Sequence, residues 1–233
     1  MLLILMITLI CSISASKKLN ASNFNDKVLK SPENWFLKFH APWCGHCKTL
    51  APVWEQVATK LEGIISFGSI DCEDSRNKSL CQIHGVEGYP TLKFWKTLRN
   101  TGDKTTVPVS YNGERNVNAL MNYALDNVTN YAEKIDDIDT FLSNDGDKVV
   151  LCTDKIVPTA LFKALSANLR DSIKFGFIGG NSDVDNVCIK RPMLVFYAGG
   201  QTNEYSGKFN YNDINGWIKK LRIAFARDSN KSL

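Results

Sequence analysis

Hydrophobic and polar positions alternate along this chain in two successive stretches with the same rhythm. Asn34 to His40 (N-W-F-L-K-F-H) predicts a strand, Cys44 to Leu61 a helix, Ile64 to Asp71 a second strand and Arg76 to His84 a helix. Thr91 to Lys96 predicts another strand and Asn116 to Asn127 a closing helix. The order then repeats. Lys148 to Thr153 reads as a strand, Pro158 to Asn168 as a helix, Ile173 to Ile178 as a strand, and Pro192 to Ala198 mirrors Pro90 to Lys96. Tyr205-Ser206-Gly207-Lys208-Phe209-Asn210 mirrors Tyr111-Asn112-Gly113-Glu114-Arg115-Asn116, each leading into a terminal helix. Strands alternating with helices argue for an α/β layer built on βαβ units. A repeat spaced by roughly 100 residues predicts two copies of one domain, with the boundary near Asn127 to Glu133.

One apolar run stands outside this rhythm. Leu2 to Ile10 is broken only by Thr8 and is followed by Cys11-Ser12-Ile13-Ser14-Ala15-Ser16, which reads as a signal peptide cleaved after Ser14 or Ser16. The run is too short to span a membrane comfortably, and no second run reaches the roughly 18 residues required. Composition changes little: 44% hydrophobic and 22% charged residues among 233 is ordinary for a globular protein. A net charge of +4 without a Lys/Arg cluster argues against nucleic acid as a partner.

The secretory reading changes how the seven cysteines are taken. Cys11 leaves with the signal, so Cys44, Cys47, Cys72, Cys81, Cys152 and Cys188 remain. An even number in an oxidising compartment permits disulfides without assigning them. Asn20, Asn77, Asn127 and Asn230 each begin a glycosylation sequon. The terminus Ser229-Asn230-Lys231-Ser232-Leu233 is not a Lys-Asp-Glu-Leu type signal, so retention and secretion both stay open.

The segment that carries chemistry is Ala41-Pro42-Trp43-Cys44-Gly45-His46-Cys47-Lys48, lying between a predicted strand and helix. Cys44 there caps or begins the helix, where unpaired N–H groups and the positive dipole end favour a thiolate. A thiolate attacks disulfides, and the two-residue gap lets Cys47 displace whatever partner Cys44 has captured. His46, when protonated, also favours the thiolate. A zinc site would need four ligands, and no second C-x-x-C or His pair follows; His40 and His84 lack ligand spacing. A permanently closed structural disulfide is the other alternative, disfavoured because so tight a loop is strained and easily reduced.

Lys38 to Lys48, with Leu50-Ala51-Pro52 after it and Gly88-Tyr89-Pro90-Thr91 downstream, resembles the catalytic domain of the protein disulfide isomerase family from about Lys18 to Asn127. The second half is similar to that family's redox-inactive thioredoxin-like domains, through its strand order and Arg191-Pro192. The resemblance implies two tandem thioredoxin-like domains, each a central mixed β-sheet flanked by helices. It implies that Cys44 attacks and Cys47 resolves, with Gly45 and His46 completing the redox motif. Trp43, Tyr89 and Pro90 would form the substrate groove, Pro90 being cis. Arg115 matches the family's mobile arginine, which lowers the pKa of the resolving cysteine. Cys72 and Cys81 resemble a structural disulfide of some family members and of quiescin-type sulfhydryl oxidases, with free buried thiols as the alternative.

Lys38 departs from the family pattern, because the resemblance puts a buried Glu or Asp there as proton acceptor for the resolving thiol. A lysine cannot accept a proton unless burial has made it neutral, and it is expected to slow proton removal from Cys47 and weaken resolution; the alternative is that its charge stabilises thiolates and biases the pair towards the reduced form. In the second half, Val157-Pro158-Thr159-Ala160 stands where the dithiol would be, so no second redox centre is expected. Cys152 reads as an inert core residue and Cys188 as free; a bridge between them does not follow from sequence.

Taken together, residues 1–16 read as signal peptide, 17–128 as the catalytic thioredoxin-like domain, 129–226 as the redox-inactive one and 227–233 as a tail. The expected function is thiol–disulfide exchange that forms, reduces or rearranges disulfides during folding, in the endoplasmic reticulum lumen or after secretion. Expected partners are unfolded or disulfide-bonded client proteins and a redox partner, glutathione or an oxidase. No metal or organic cofactor and no membrane span after signal removal are expected. A truncated sulfhydryl oxidase is the runner-up within redox chemistry, although the flavin domain is absent. The alternative from another class is a chaperone-like module that binds unfolded chains and carries an incidental dithiol.

Overall fold

The computed structural model describes residues 15–96, 107–143, 145–180 and 187–229. In the first half these run β1 (Lys17–Leu19), α1 (Ala21–Phe24) with a π-helical turn over Asn25–Leu29, β2 (Trp35–His40), α2 (Gly45–Lys60), β3 (Ser66–Asp71), α3 (Lys78–Ile83), β4 (Thr91–Trp95), β5 (Val109–Tyr111) and α4 (Val117–Asp126). The second half runs β6 (Glu133–Lys134), α5 (Ile138–Ser143), β7 (Lys148–Thr153), α6 (Ala160–Leu169), β8 (Lys174–Gly179), β9 (Met193–Ala198), β10 (Gln201–Glu204) and α7 (Tyr211–Ser229). Helix α7 thus continues through residues 227–229. Most of the signal segment, residues 1–14, lies outside the described residues, as does the Asn230 sequon.

The first sheet has the order β1-β3-β2-β4-β5 and the second β6-β8-β7-β9-β10, reading from the matching edge. In each, the first three strands are parallel and the last two antiparallel. The two halves are therefore tandem thioredoxin-like domains of one topology. Strand β2 is central and covered on both faces, which is why its residues are apolar apart from Lys38 and the terminal His40. Phe36 packs with Leu50, Trp54, Val57 and Leu120 from α2 and α4. Leu37 and Phe39 point the other way, onto Phe24, Val28 and Cys81.

The mirrored Tyr-x-Gly segments have a shared physical cause. The Tyr111 hydroxyl donates to the Glu114 carbonyl at 2.6 Å, and the Tyr205 hydroxyl donates to the Lys208 carbonyl at 2.8 Å. A Cβ on Gly113 would lie 2.7 Å from Tyr111 Oη, and one on Gly207 would lie 2.4 Å from Tyr205 Oη. Glycine is thus what lets each ring fold back over its own turn. Asn116 then caps α4, accepting from the Ala119 N–H at 2.8 Å.

The domains also pack together. Ala164 belongs to the core cluster of the first domain, with Ala160 and Tyr211 against it. Tyr211, held within the second domain by Asn168 Nδ2 donating to its Oη at 2.9 Å, lies against Gly63 of the first, and Thr129 Oγ1 donates to Asn34 Oδ1 at 3.3 Å. At the other end of the first domain Ser16 is buried, with its N–H donating to Glu55 Oε2 at 3.0 Å and its hydroxyl donating to Glu55 Oε1.

Cys72 and Cys81 form a disulfide. Cys152 and Cys188 form a second one, which corrects the reading of an inert core thiol and a free one. The repeat explains it. Cys152 pairs with Met193, the residue after Pro192, just as Phe39 pairs with Thr91, the residue after Pro90. Cys188 lies four residues before Pro192, and Val86 four before Pro90. Val86 packs on the cluster that contains Phe39. The second domain has a covalent bond where the first has an apolar contact.

Burial decides one sequon. Asn77 is 2% exposed, with Oδ1 accepting from the Ala21 N–H and Nδ2 donating to the Asp71 carbonyl, both at 2.9 Å. A glycan on Nδ2 is incompatible with this packing. Natively folded protein secreted from a eukaryotic host is expected to carry no sugar at Asn77. Peptide mapping that found a glycan there on folded protein would refute this.

Candidate active site

Strand β2 ends at His40, and the chain turns through Ala41, Pro42 and Trp43 into α2, with Cys44 as the N-cap. Cys44 Sγ accepts from the Cys47 N–H at 3.3 Å, so a sulfur fills the place usually taken by a capping oxygen. The Cys44 thiol also donates to the Tyr89 carbonyl at 3.5 Å. Cys44 and Cys47 are the free cysteines among the described residues. They pack with Ala41 and Tyr89 in a small apolar cluster at the end of the sheet.

The two thiols are held at different proton affinities. Cys44 lies below the ordinary thiol value, first through the hydrogen bond with the Cys47 side chain. Burial opposes this, and the Cys47 and His46 backbone amides and the Arg115 charge reinforce it. Cys47 is pushed up to about 11, chiefly by burial and then by its bond to Cys44. The Ala41 backbone and the Lys38 charge pull it partly back. Alkylation of the reduced protein is therefore expected to modify Cys44 first, with a rate that rises below the ordinary thiol range, while Cys47 stays protected until strongly alkaline pH. Mass-spectrometric mapping across a pH series checks this; preferential modification of Cys47 is the contrary result.

The structure brings the other predicted residues around this pair. The Tyr89–Pro90 peptide is cis, and so is Arg191–Pro192 in the second domain. Trp43 is 67% exposed, its ring edge-on to Tyr89 with centroids 6.0 Å apart. A Cβ on Gly45 would meet no atom within 4 Å, so the rim beside Cys44 is open. Beside Pro90 is a cleft of about 430 Å³, lined by Tyr89, Thr91, Lys93 and Arg115 among others.

Arg115 Nη2 donates to the Pro90 carbonyl at 3.2 Å, and its charge lowers the pKa of Cys44. His46 reaches Cys44 through its backbone amide, while its side chain is exposed. Cys72–Cys81 lies behind β2, in the cluster with Leu37 and Phe39, and supports the strand without lining the site. Sequence reasoning missed Glu55. Its position eight residues after Cys47 on a predicted helix was the available signal, two turns along and next to Trp54. Among the described residues no group of three or more His, Cys, Asp or Glu is placed to hold a metal.

A thioredoxin family model matches residues 15–126. A Dictyostelium discoideum protein that carries the name protein disulfide-isomerase is 39% identical over 162 residues, covering 68% of this chain and 39% of its own. The protein disulfide-isomerase of Humicola insolens is 32% identical over 204 residues, covering 83% and 38%. The chain spans well under half the length of these two curated relatives. The crystal structure of ERdj5 form II matches with a TM-score of 0.55 over 91% of this chain and 30% of that one, at 19% identity, a likeness of fold. The thioredoxin match over the first domain, the free dithiol at its helix cap and these relatives together make the chain similar to the protein disulfide isomerase family.

Proposed function

We propose that the chain is a thiol–disulfide oxidoreductase acting on protein disulfides, with Cys44 as nucleophile and Cys47 as resolving thiol. The observation that carries this reading is the asymmetry of the dithiol. Four cysteines are tied in disulfides, while the free pair has one low-pKa thiol at a helix cap and one high-pKa thiol behind it. The Cys44 thiolate attacks one sulfur of a client disulfide, forming a Cys44–client bond as the client S–S bond breaks and the other sulfur leaves as thiolate. Cys47 then loses its proton and attacks Cys44 Sγ. The Cys44–client bond breaks, the second client sulfur leaves and takes up a proton, and the client has gained two electrons. The reverse sequence oxidises a client dithiol. Resetting the pair falls to glutathione or an oxidase.

Trp43, Tyr89 and Pro90 would hold an extended client segment over the dithiol, with Arg115 keeping the Pro90 carbonyl in place. Two disulfides and the apolar N-terminal run support an oxidising compartment, the endoplasmic reticulum lumen or the outside of the cell. Among the described residues no helix is long and apolar enough to cross a membrane. The buried Ser16–Glu55 contact favours cleavage after Ser14, which keeps Ser16 in the mature chain. Reactivation of a scrambled, disulfide-bonded test protein, with the Cys44→Ser form alongside, tests the reading. Activity that survives in the variant transfers it to a binding module.

A further inference from the structure

Lys38 lies in the middle of β2 between two fully buried residues and is itself 6% exposed. Strand alternation puts its side chain on the Phe36 face, which α2 covers, with Ser69 and Leu92 as cross-strand neighbours. Along α2, Cys47 and Trp54 are seven residues apart on one buried stripe. The Lys38 ammonium is 5.7 Å from the Trp54 ring centroid and makes no hydrogen bond or ion pair among the described residues. Burial holds the Lys38 ammonium below the ordinary lysine value, and its charged neighbours on α2, Glu55 and then Cys47, partly offset this; on β2 it acts on His40, which also feels Asp71 of β3. From β4 it meets Leu92, which carries no charge. Glu55 is in turn anchored by Ser16.

A buried ammonium without a hydrogen bond is a poor device for stability, since a methionine of similar length would pack there at less cost. What the position does offer is a positive charge on the face that α2 covers, within electrostatic reach of the resolving thiol. We propose that Lys38 is a positioning residue for the exchange reaction: its ammonium stabilises the Cys47 thiolate during resolution. This rests on the exchange reading and takes up the thiolate-stabilising alternative against the expectation that a lysine slows resolution. Lys38 neither gains nor loses a proton in the step. Cys47 gives up its proton to solvent, its sulfur bonds to Cys44 Sγ, and the client sulfur departs with the electron pair. A cation beside the pair favours thiolate over disulfide and makes the dithiol a stronger oxidant.

The test reads the Cys47 thiolate without turnover. In a Cys44→Ala background Cys47 is the free thiol to be alkylated, and its rate is measured across a pH series for Lys38, Lys38→Met, Lys38→Gln and Lys38→Arg. Lys38→Met and Lys38→Gln are expected to react about tenfold more slowly at neutral pH, the equivalent of about one pKa unit. Lys38→Arg is expected to stay near the parent. The gap between parent and neutral variants should close as the pH rises through the titration of Lys38 itself, a signature that a packing role would not produce. Neutral variants that react as fast as the parent, or faster, overturn the proposal; if Lys38→Met does not fold by circular dichroism, Lys38→Gln decides. None of these outcomes depends on client turnover, so failure here is separate from failure of the exchange reading.

Discussion

Cys44→Ser is expected to abolish reactivation of a scrambled test protein in glutathione buffer, by on the order of 10³-fold or more. The hydroxyl can still cap α2 and accept from the Cys47 N–H, because serine is a good N-cap residue. The fold should therefore persist, with an unchanged far-ultraviolet spectrum and denaturation midpoint. What vanishes is the nucleophile: a serine hydroxyl stays protonated at neutral pH and cannot form a mixed disulfide. Cys47→Ser makes the informative companion. It leaves Cys44 able to capture a client and removes only the thiol that releases it, so covalent complexes should accumulate and disappear on adding reductant. Full reactivation by the Cys44→Ser form would mean that the dithiol is not the working part, and the apolar surface around Trp43 would then be the place to look.

Replacing Cys152 and Cys188 together by alanine is expected to cost about 3–4 kcal/mol, against about 2–3 kcal/mol for Cys72 and Cys81 together. The difference follows from the loops closed. Cys152–Cys188 spans 36 residues and Cys72–Cys81 only 9, so the longer loop removes more freedom from the unfolded chain. Cys152 is also fully buried on a central strand, and a smaller side chain there leaves a void. Urea denaturation of the two double variants checks the order through the midpoints, read with the slope that reports the surface exposed. Equal midpoints, or a larger loss from the Cys72–Cys81 pair, would contradict it.

The legible parts of this chain are those whose signals are local. Trp35 to His40 reads as a central strand because both its faces are apolar, and Cys44 reads as a helix cap because the motif sits at a strand-to-helix turn. The paired Tyr-x-Gly turns carry the repeat because each depends on residues a few positions away. The strands β1, β5, β6 and β10 went unread. They are two to four residues long, lie next to or at the sheet edges and show no sustained alternation, so only pairing with an already formed neighbour defines them.

The sequence by itself determined two α/β repeats, one dithiol and the identity of the thiol that begins α2, since near-neighbour chemistry decides all three. Only the tertiary structure decided that Cys152 bonds Cys188, that Arg115 holds the Pro90 carbonyl 25 residues upstream, and that Asn77 is buried. It alone brought Lys38 of a strand within electrostatic reach of Glu55 and Cys47 on a helix. Each of these joins elements whose separation in space depends on strand register and helix packing, and burial then sets the dielectric in which their charges act.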